Sequence, residues 1–263
     1  MSVHLHEAAK AAFSEYSPRD ILFGETAAQT YREALSRLIA DPMGAGRELT
    51  FCFCGYIAEA VGIPQNAEGI CRLLSESESV TGKRISCLRG GSSDVAFDVF
   101  SEYLGKASVL YGENLTSVCE NLYDSLCDYA VLPVENSRDG ILSGIASLID
   151  KYEFYTVALT RVEQNEALTT FALLSRRTAL LPGTGDIHVM IETTGDSLQS
   201  GFVCCCAEHF SGRAEQIHSL RLLNDRYKTV YTFRFGGEDI SGFLCAVMLG
   251  IPGAEIRGIY REI

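Results

Sequence analysis

From Lys83 to Arg177, short apolar runs alternate with helix-patterned segments, and that alternation limits the fold more than any other feature of the chain. KRISCLRG reads as a strand entering a Gly-Gly turn, SSDVAFDVFSEYLG as a helix capped by Ser92 or Ser93, SVLYG as a strand and SVCENLYDSL as a helix. YAVLPV, LSGIASLID and FYTVALTRV continue as strand, helix and strand. Such an order calls for an α/β arrangement, a sheet with helices on its faces. Ligands of these sheets bind beyond the carboxyl ends of the strands. Gly90-Gly91-Ser92-Ser93 and Glu135-Asn136-Ser137 both fall there, so they are expected to converge on one pocket.

The stretch DYAVLPVENSRDG, Asp128 to Gly140, is the most telling of these junctions. Its apolar run, interrupted only by Pro133, stops at Glu-Asn-Ser and is followed by the helical periodicity of ILSGIASLID. Read as strand, polar turn and helix start, it sets backbone N–H groups and the short donors Asn136 and Ser137 at the positive end of a helix, where a small carboxylate is readily held.

Charge narrows the partners. With 263 residues, 47% of them hydrophobic, and a formal charge of −12, the chain has enough apolar mass for one large or two to three small cores and would repel nucleic-acid phosphates and anionic lipid. Its first residues, MSVHLHEAAKAAFSEY, show no basic stretch followed by an apolar one, and FCFCGYIAEAVGI is too short to span a bilayer and contains Glu59. The reading is a cytoplasmic protein with no membrane and no nucleic-acid partner. Among its 10 cysteines no C-x-x-C pair occurs and no histidine stands at ligand spacing from them, so no metal and no cofactor is expected and the thiols are read as reduced small hydrophobes.

Two further regions flank the alternating one. Residues 1–80 read as helical, with TAAQTYREALSRLIA and ELTFCFCGYIAEAV separated by DPMGAG, and carry no functional motif. Residues 186–263 follow the order β-α-β-β-α-β: IHVMIETT, DSLQSGFVCCCAEHF, EQIHSLRLL, TVYTFRF, DISGFLCAVML capped by Asp239, and EIRGIYREI. That is a ferredoxin-like order.

VLPVENSRDG resembles the "PIENS..G" element of prephenate dehydratases, EALTTFALLSRR resembles that family's Thr-Arg-Phe strand, and the βαββαβ region resembles the ACT domain that commonly follows. The resemblance covers residues 83 to 263. It implies an α/β (α+β overall) protein: a helical region over 1–80, a truncated periplasmic-binding-protein-like prephenate dehydratase lobe over 83–180, and an ACT-like domain over 186–263. By the same resemblance Thr169 is the proton donor for the leaving hydroxyl, and Asn136, Ser137, Gly140, Thr170, Phe171, Gly91 and Ser92 bind the substrate. Leu198, His218 and Ser219 correspond to ACT ligand positions. The implied partners are a small carboxylated molecule, prephenate or an amino acid, and further copies of the chain in a homodimer or tetramer joined through the ACT-like domain. The implied setting is phenylalanine biosynthesis and the implied activity that of a lyase.

Departures from the family pattern are specific. Thr170 stands where the family has Arg, replacing a charged planar fork by one neutral hydroxyl. FYTVALTRV runs into EQNEALTTFALL with no room for the family's second lobe. Asp94 replaces a Ser in the Gly-rich turn, where first-turn placement on a helix accounts for it. The sequence reading is a family member that keeps the carboxylate or amino-acid pocket with weak or lost dehydratase turnover. An active dehydratase and a non-catalytic partner subunit are its alternatives.

Overall fold

β1 (Arg84–Leu88) opens the main described part of the chain, which in this computed structural model comprises Cys54 and residues 83–263 apart from 165, 196, 197, 223–225, 237–239 and 252. Save for Cys54, the helical region expected over 1–80 lies outside the described residues, as does the expected cap Asp239. After β1 come α1 (Gly91–Tyr103), β2 (Ser108–Gly112), α2 (Leu115–Tyr123), β3 (Tyr129–Asn136), β4 (Gly140–Ile141), α3 (Ser143–Lys151), β5 (Tyr155–Gln164) and β6 (Ala167–Ser175). Then follow β7 (Ile187–Gly195), α4 (Leu198–His209), β8 (Arg213–Arg221), β9 (Tyr227–Phe235), α5 (Ile240–Gly250) and β10 (Glu255–Glu262). The chain divides into two compact units, one holding Ser75–Thr184 with Arg257–Ile263, the other holding Gly185–Ile256.

In the first unit the strands stand in the order β2-β1-β3-β6-β5-β10. β1 pairs in parallel with β2 and β3, which obliges helical crossovers, while β6 runs antiparallel to both β3 and β5. Side-chain alternation divides the core in two. Ile85, Cys87, Tyr129, Val131, Phe171 and Leu173 point to the face covered by Ala96 and Phe100 of α1 and by Leu104, its C-cap. Ala130, Leu132, Ala172 and Leu174 point to the opposite face, under Val118 and Leu122 of α2 and Ile145 of α3. The C-terminal strand closes this sheet: β10 lies parallel to β5, Ile263 N donates to Leu159 O at 2.9 Å, and Thr160 Oγ1 donates to Ile263 O at 2.8 Å.

Local chemistry explains the element ends. Asn114 and Ser117 form a reciprocal capping box on α2, Ser117 N donating to Asn114 Oδ1 at 2.9 Å and Asn114 N to Ser117 Oγ at 3.0 Å. α1 differs from the expected Ser cap: it starts at Gly91 after Gly90, which has φ 156° and ψ 153°, a conformation essentially confined to glycine. Gly90 N donates to Asp94 Oδ2 at 3.2 Å, and no side chain caps the first-turn N–H groups as Ser92 or Ser93 was expected to do. Pro133 sits beyond the β1–β3 pairing and where the β3–β6 register shifts, so its missing N–H interrupts no regular ladder.

In the second unit β7 and β8 each pair antiparallel with β9, the 1-3-2 part of a ferredoxin-like order. Tyr231, Phe233 and Phe235 alternate inward, Phe233 and Phe235 meeting Phe243 of α5 at ring distances of 5.3 and 5.1 Å. β8 is the outer strand, and all nine of its residues are exposed. No helix among the described residues is long and apolar enough to cross a membrane.

Candidate ligand-binding site

The Glu-Asn-Ser segment builds a hairpin, and this corrects the expected strand-to-helix junction. Glu135 pairs with Ile141 and Asn136 with Gly140, so β4 intervenes between the turn and α3, which starts only at Ser143 with Leu142 as its cap. Asn136 Oδ1 accepts Arg138 N at 2.7 Å and Asp139 N at 3.2 Å, and its Nδ2 donates to Asp139 Oδ2 at 3.2 Å. An Asn side chain that accepts the N–H two residues on nucleates a turn by itself, and Gly140, at φ 70°, ends the three-residue loop in the left-handed conformation such hairpins use. Ser137 ties the turn to β6: Ser137 N donates to Leu168 O at 2.8 Å and Leu168 N donates to Ser137 Oγ at 3.1 Å. The donors expected to face a ligand from a helix terminus are thus engaged in holding the hairpin to its neighbour.

Register decides which of the remaining residues meet. Asn136 lies opposite Thr169, and Thr169 opposite Val162, so these three share the face that α1 covers. Phe171, two residues on, is 1% exposed and belongs to the core beneath α1. Thr170 points the other way. It stands between Glu135 on β3 and Arg161 on β5, and Glu135 in turn stands opposite Ile141 on β4. The result is one row across four strands, Ile141-Glu135-Thr170-Arg161, on the sheet face opposite α1.

The N-terminus of α1 comes to the same sheet end as Asn136 and Thr169. The amide of Gln164, the last residue of β5, packs on Gly91 so closely that a Cβ there would collide with it. Ser92 is half-buried in the first turn. Arg89 lies over the ring of Tyr111 at 4.5 Å from its centroid. Partial burial, then the Asp94 carboxylate, holds the Tyr111 hydroxyl above its ordinary pKa, while Arg89 opposes the shift. Arg176 follows the far end of β6, about 20 Å along the strand from Thr170. Arg138 rides in the hairpin loop.

Gln164 and Arg161 escaped the sequence reading. Their positions follow from the short β5–β6 connection, which aligns Gln164 with Ala167 and hence Arg161 with Thr170. A two-residue hairpin loop recognised in EQNEAL is the signal that points to both.

In the second unit Leu198 begins α4, while His218 and Ser219 lie on β8, on opposite faces of the strand. Ser219 Oγ and Thr229 Oγ1 share a hydrogen bond of 3.0 Å, and His218 is exposed opposite Val230. A different group of ionisable residues forms there: Glu215 Oε2 lies 3.0 Å from His188 Nδ1 and Glu215 Oε1 3.3 Å from Arg234 Nε. The thiols of the first unit are buried, and burial first of all raises their pKa values, to about 12 for Cys87 and about 11 for Cys119 and Cys127. Such thiols are protonated and poor nucleophiles near neutrality. Among the described residues no cluster of His, Cys, Asp and Glu is arranged to hold a metal ion.

No family model matches the sequence, and no curated protein matches it. Solved structures do. A prephenate dehydratase from Streptococcus mutans is 19% identical, with a TM-score of 0.53 over 68% of this chain and 98% of that one. The described chain has a prephenate-dehydratase-like α/β fold. A prephenate dehydratase from Arthrobacter aurescens, solved in complex with L-Phe, is 12% identical with a TM-score of 0.53 over 68% of this chain and 89% of that one. GqqA, described as a novel type of quorum quenching acylase, is 16% identical with a TM-score of 0.51 over 67% and 94%. One prephenate-dehydratase-like fold thus accompanies two differently described activities, so function has to be argued from the site.

Proposed function

We propose that the first unit is a prephenate-dehydratase-type pocket that binds a small carboxylated molecule, prephenate or a related aromatic-pathway acid, with little or no dehydratase turnover. The observation that carries this reading is the register that sets Asn136 beside Thr169 on the α1 face, at the sheet end where Gly91 and Ser92 open the helix. Asn136 supplies the Nδ2 hydrogen not given to Asp139, Thr169 the hydroxyl that can protonate a leaving group, and the first turn of α1 its backbone N–H groups. Low turnover follows because the register row Asn136-Thr169-Val162 carries no cation, and a missing charge-assisted carboxylate bond costs about 1.5–3 kcal/mol, or about one to two powers of ten in rate. The second unit is read as an ACT-like module that binds an amino acid and joins copies of the chain. Its strand β8, exposed along all nine residues and bearing Ile217 and Leu220 at 46% and 64% exposure, is the element through which copies are read to join.

The test is purified protein with prephenate, following both the melting temperature and phenylpyruvate formation. A melting temperature raised by prephenate, with slow or no product, supports the reading, since ligand bound to the native state alone stabilises it by mass action. Fast turnover that Thr169→Ala abolishes would replace it with an active dehydratase. No shift with prephenate or with any amino acid at millimolar concentration would leave a structural partner subunit.

A further inference from the structure

Two sulfurs that lie far apart in the chain meet inside the second unit. Cys54 Sγ donates to Cys206 Sγ at 3.5 Å, across 152 residues of sequence, and both residues are 0% exposed. Cys206 belongs to the inner stripe of α4 with Phe202, Val203, Ala207 and Phe210, all buried at helical spacing. Cys204 and Cys205, just before it, are only half-buried. Burial first, and then the Cys54 thiol, holds the Cys206 thiol well above its ordinary pKa, so Cys206 rests protonated. Packing alone asks for no more than a small apolar side chain at each place. Two sulfurs in contact carry a bond that such side chains lack: a disulfide spaces its sulfurs about 2.05 Å apart, so about 1.5 Å of further approach joins these two.

We infer that Cys54 and Cys206 are a redox modification site, at which a small hydroperoxide converts the thiol pair into an intramolecular disulfide that fixes residue 54 to α4. One sulfur, as thiolate, attacks the peroxide O–O bond and becomes S–OH, while the departing oxygen leaves as water. The second sulfur then attacks the first, the S–S bond forms, and the S–OH oxygen leaves as a second water. Two thiols thereby lose two electrons and two protons, and one peroxide is reduced to two waters. Because both sulfurs are buried, the first step waits on a local opening of the core and is slower than at a surface thiol. Reclosure sets the partner sulfur against the S–OH and shuts out further peroxide, so the product is the disulfide and not the sulfinic acid. The bond ties off the chain between residues 54 and 206, which includes every strand from β1 to β6, and so restricts the unfolded chain far more than the native one. None of this depends on what either unit binds.

Full-length protein, first reduced and then exposed to hydrogen peroxide, tests it when alkylated, digested with trypsin without reductant and mapped by mass spectrometry. The peptide Glu48–Arg72 is expected to be joined to the peptide that carries Cys204, Cys205 and Cys206, two hydrogens lighter than their sum, and to be released by dithiothreitol. Cys54→Ala and Cys206→Ala should each remove the link, whereas Cys52→Ala and Cys205→Ala should keep it. Oxidised wild type should unfold at a higher urea concentration than the reduced protein, and Cys206→Ala with an unaltered circular dichroism spectrum should show no such difference. The wild-type peptide map decides the matter even where a variant fails to fold. The inference is overturned if Cys54 stays a thiol while Cys204 or Cys205 is oxidised, if it ends as sulfinic acid, or if it is linked to a second copy of the chain. A urea midpoint lowered by oxidation would equally overturn it, because the native core would then be straining against the bond.

Discussion

Replacing Asn136 by Ala removes two acceptor bonds, from Arg138 N at 2.7 Å and Asp139 N at 3.2 Å, and the donor bond to Asp139. Asn136 is half-buried and residues 137–139 are exposed, so water recovers part of each loss. At about 0.5–1 kcal/mol per bond under these conditions, the three bonds give an expected destabilisation of about 1.5–3 kcal/mol. Asn136→Ser, whose hydroxyl makes a weaker version of the same turn, should lose about half as much. The chain has 12 Tyr and no Trp, so urea unfolding is best followed by far-ultraviolet circular dichroism with tyrosine emission. Because the two units can unfold separately, hydrogen exchange supplies the local readout. Amides of Arg138 and Asp139 should exchange faster in Asn136→Ala and nearly normally in Asn136→Ser. If exchange at both amides and the unfolding midpoint stay at wild-type values in the Ala variant, the side chain does not build the turn. The pair of variants also separates two roles: loss of prephenate binding in both points to the amide as a ligand contact, and loss in Ala alone points to the hairpin.

Gly140→Ala forces an L-residue to φ 70° and should cost about 1–2 kcal/mol, visible as a lower urea midpoint; an unchanged midpoint would contradict the hairpin geometry. Cys87, Cys119 and Cys127 have folded pKa values raised by burial to about 12, 11 and 11 from 9.0, so the fold favours their neutral forms. The sign follows: their contribution to stability is complete below pH 9 and declines as pH rises from 9 towards 11–12, which alkaline unfolding of the wild type against Cys87→Ala would display. The same thiols should resist iodoacetamide in native protein at pH 7.5 and react in urea, and rapid native labelling of Cys87 would contradict its burial. Ile217→Lys on the exposed strand β8 should lower the mass observed by sedimentation while leaving the monomer folded; an unchanged mass would exclude β8 as the contact between copies.

Most of the elements were legible because their signals are local. The β2 stretch SVLYG, the run YAVLPV and the order of the last six elements coincide with observed strands and helices, since alternation, helical periodicity and turn residues act within a few positions. β4 was not legible: two residues, Gly140 and Ile141, carry no periodicity, and the hairpin they complete depends on the Asn136 side chain turning back on its own loop. The cap of α1 was misplaced for a related reason. Ser92 and Ser93 have the right chemistry, but the helix starts before them, at Gly91, with Gly90 in the cap position and no side-chain cap bond.

By itself the sequence determined the alternation of β and α, and with it a sheet covered on two faces. It also determined the polar tips at the strand ends and the neutral residue at position 170. Tertiary structure decided who meets whom. Pairing register set Asn136 beside Thr169 on one face and Arg161 beside Thr170 on the other, because a shift of one residue exchanges the faces of a whole strand. It also laid the end of β10 along β5, bringing Glu262 to Arg161 from 101 residues away in the chain. No local pattern carries that contact; it exists only once the sheet has closed.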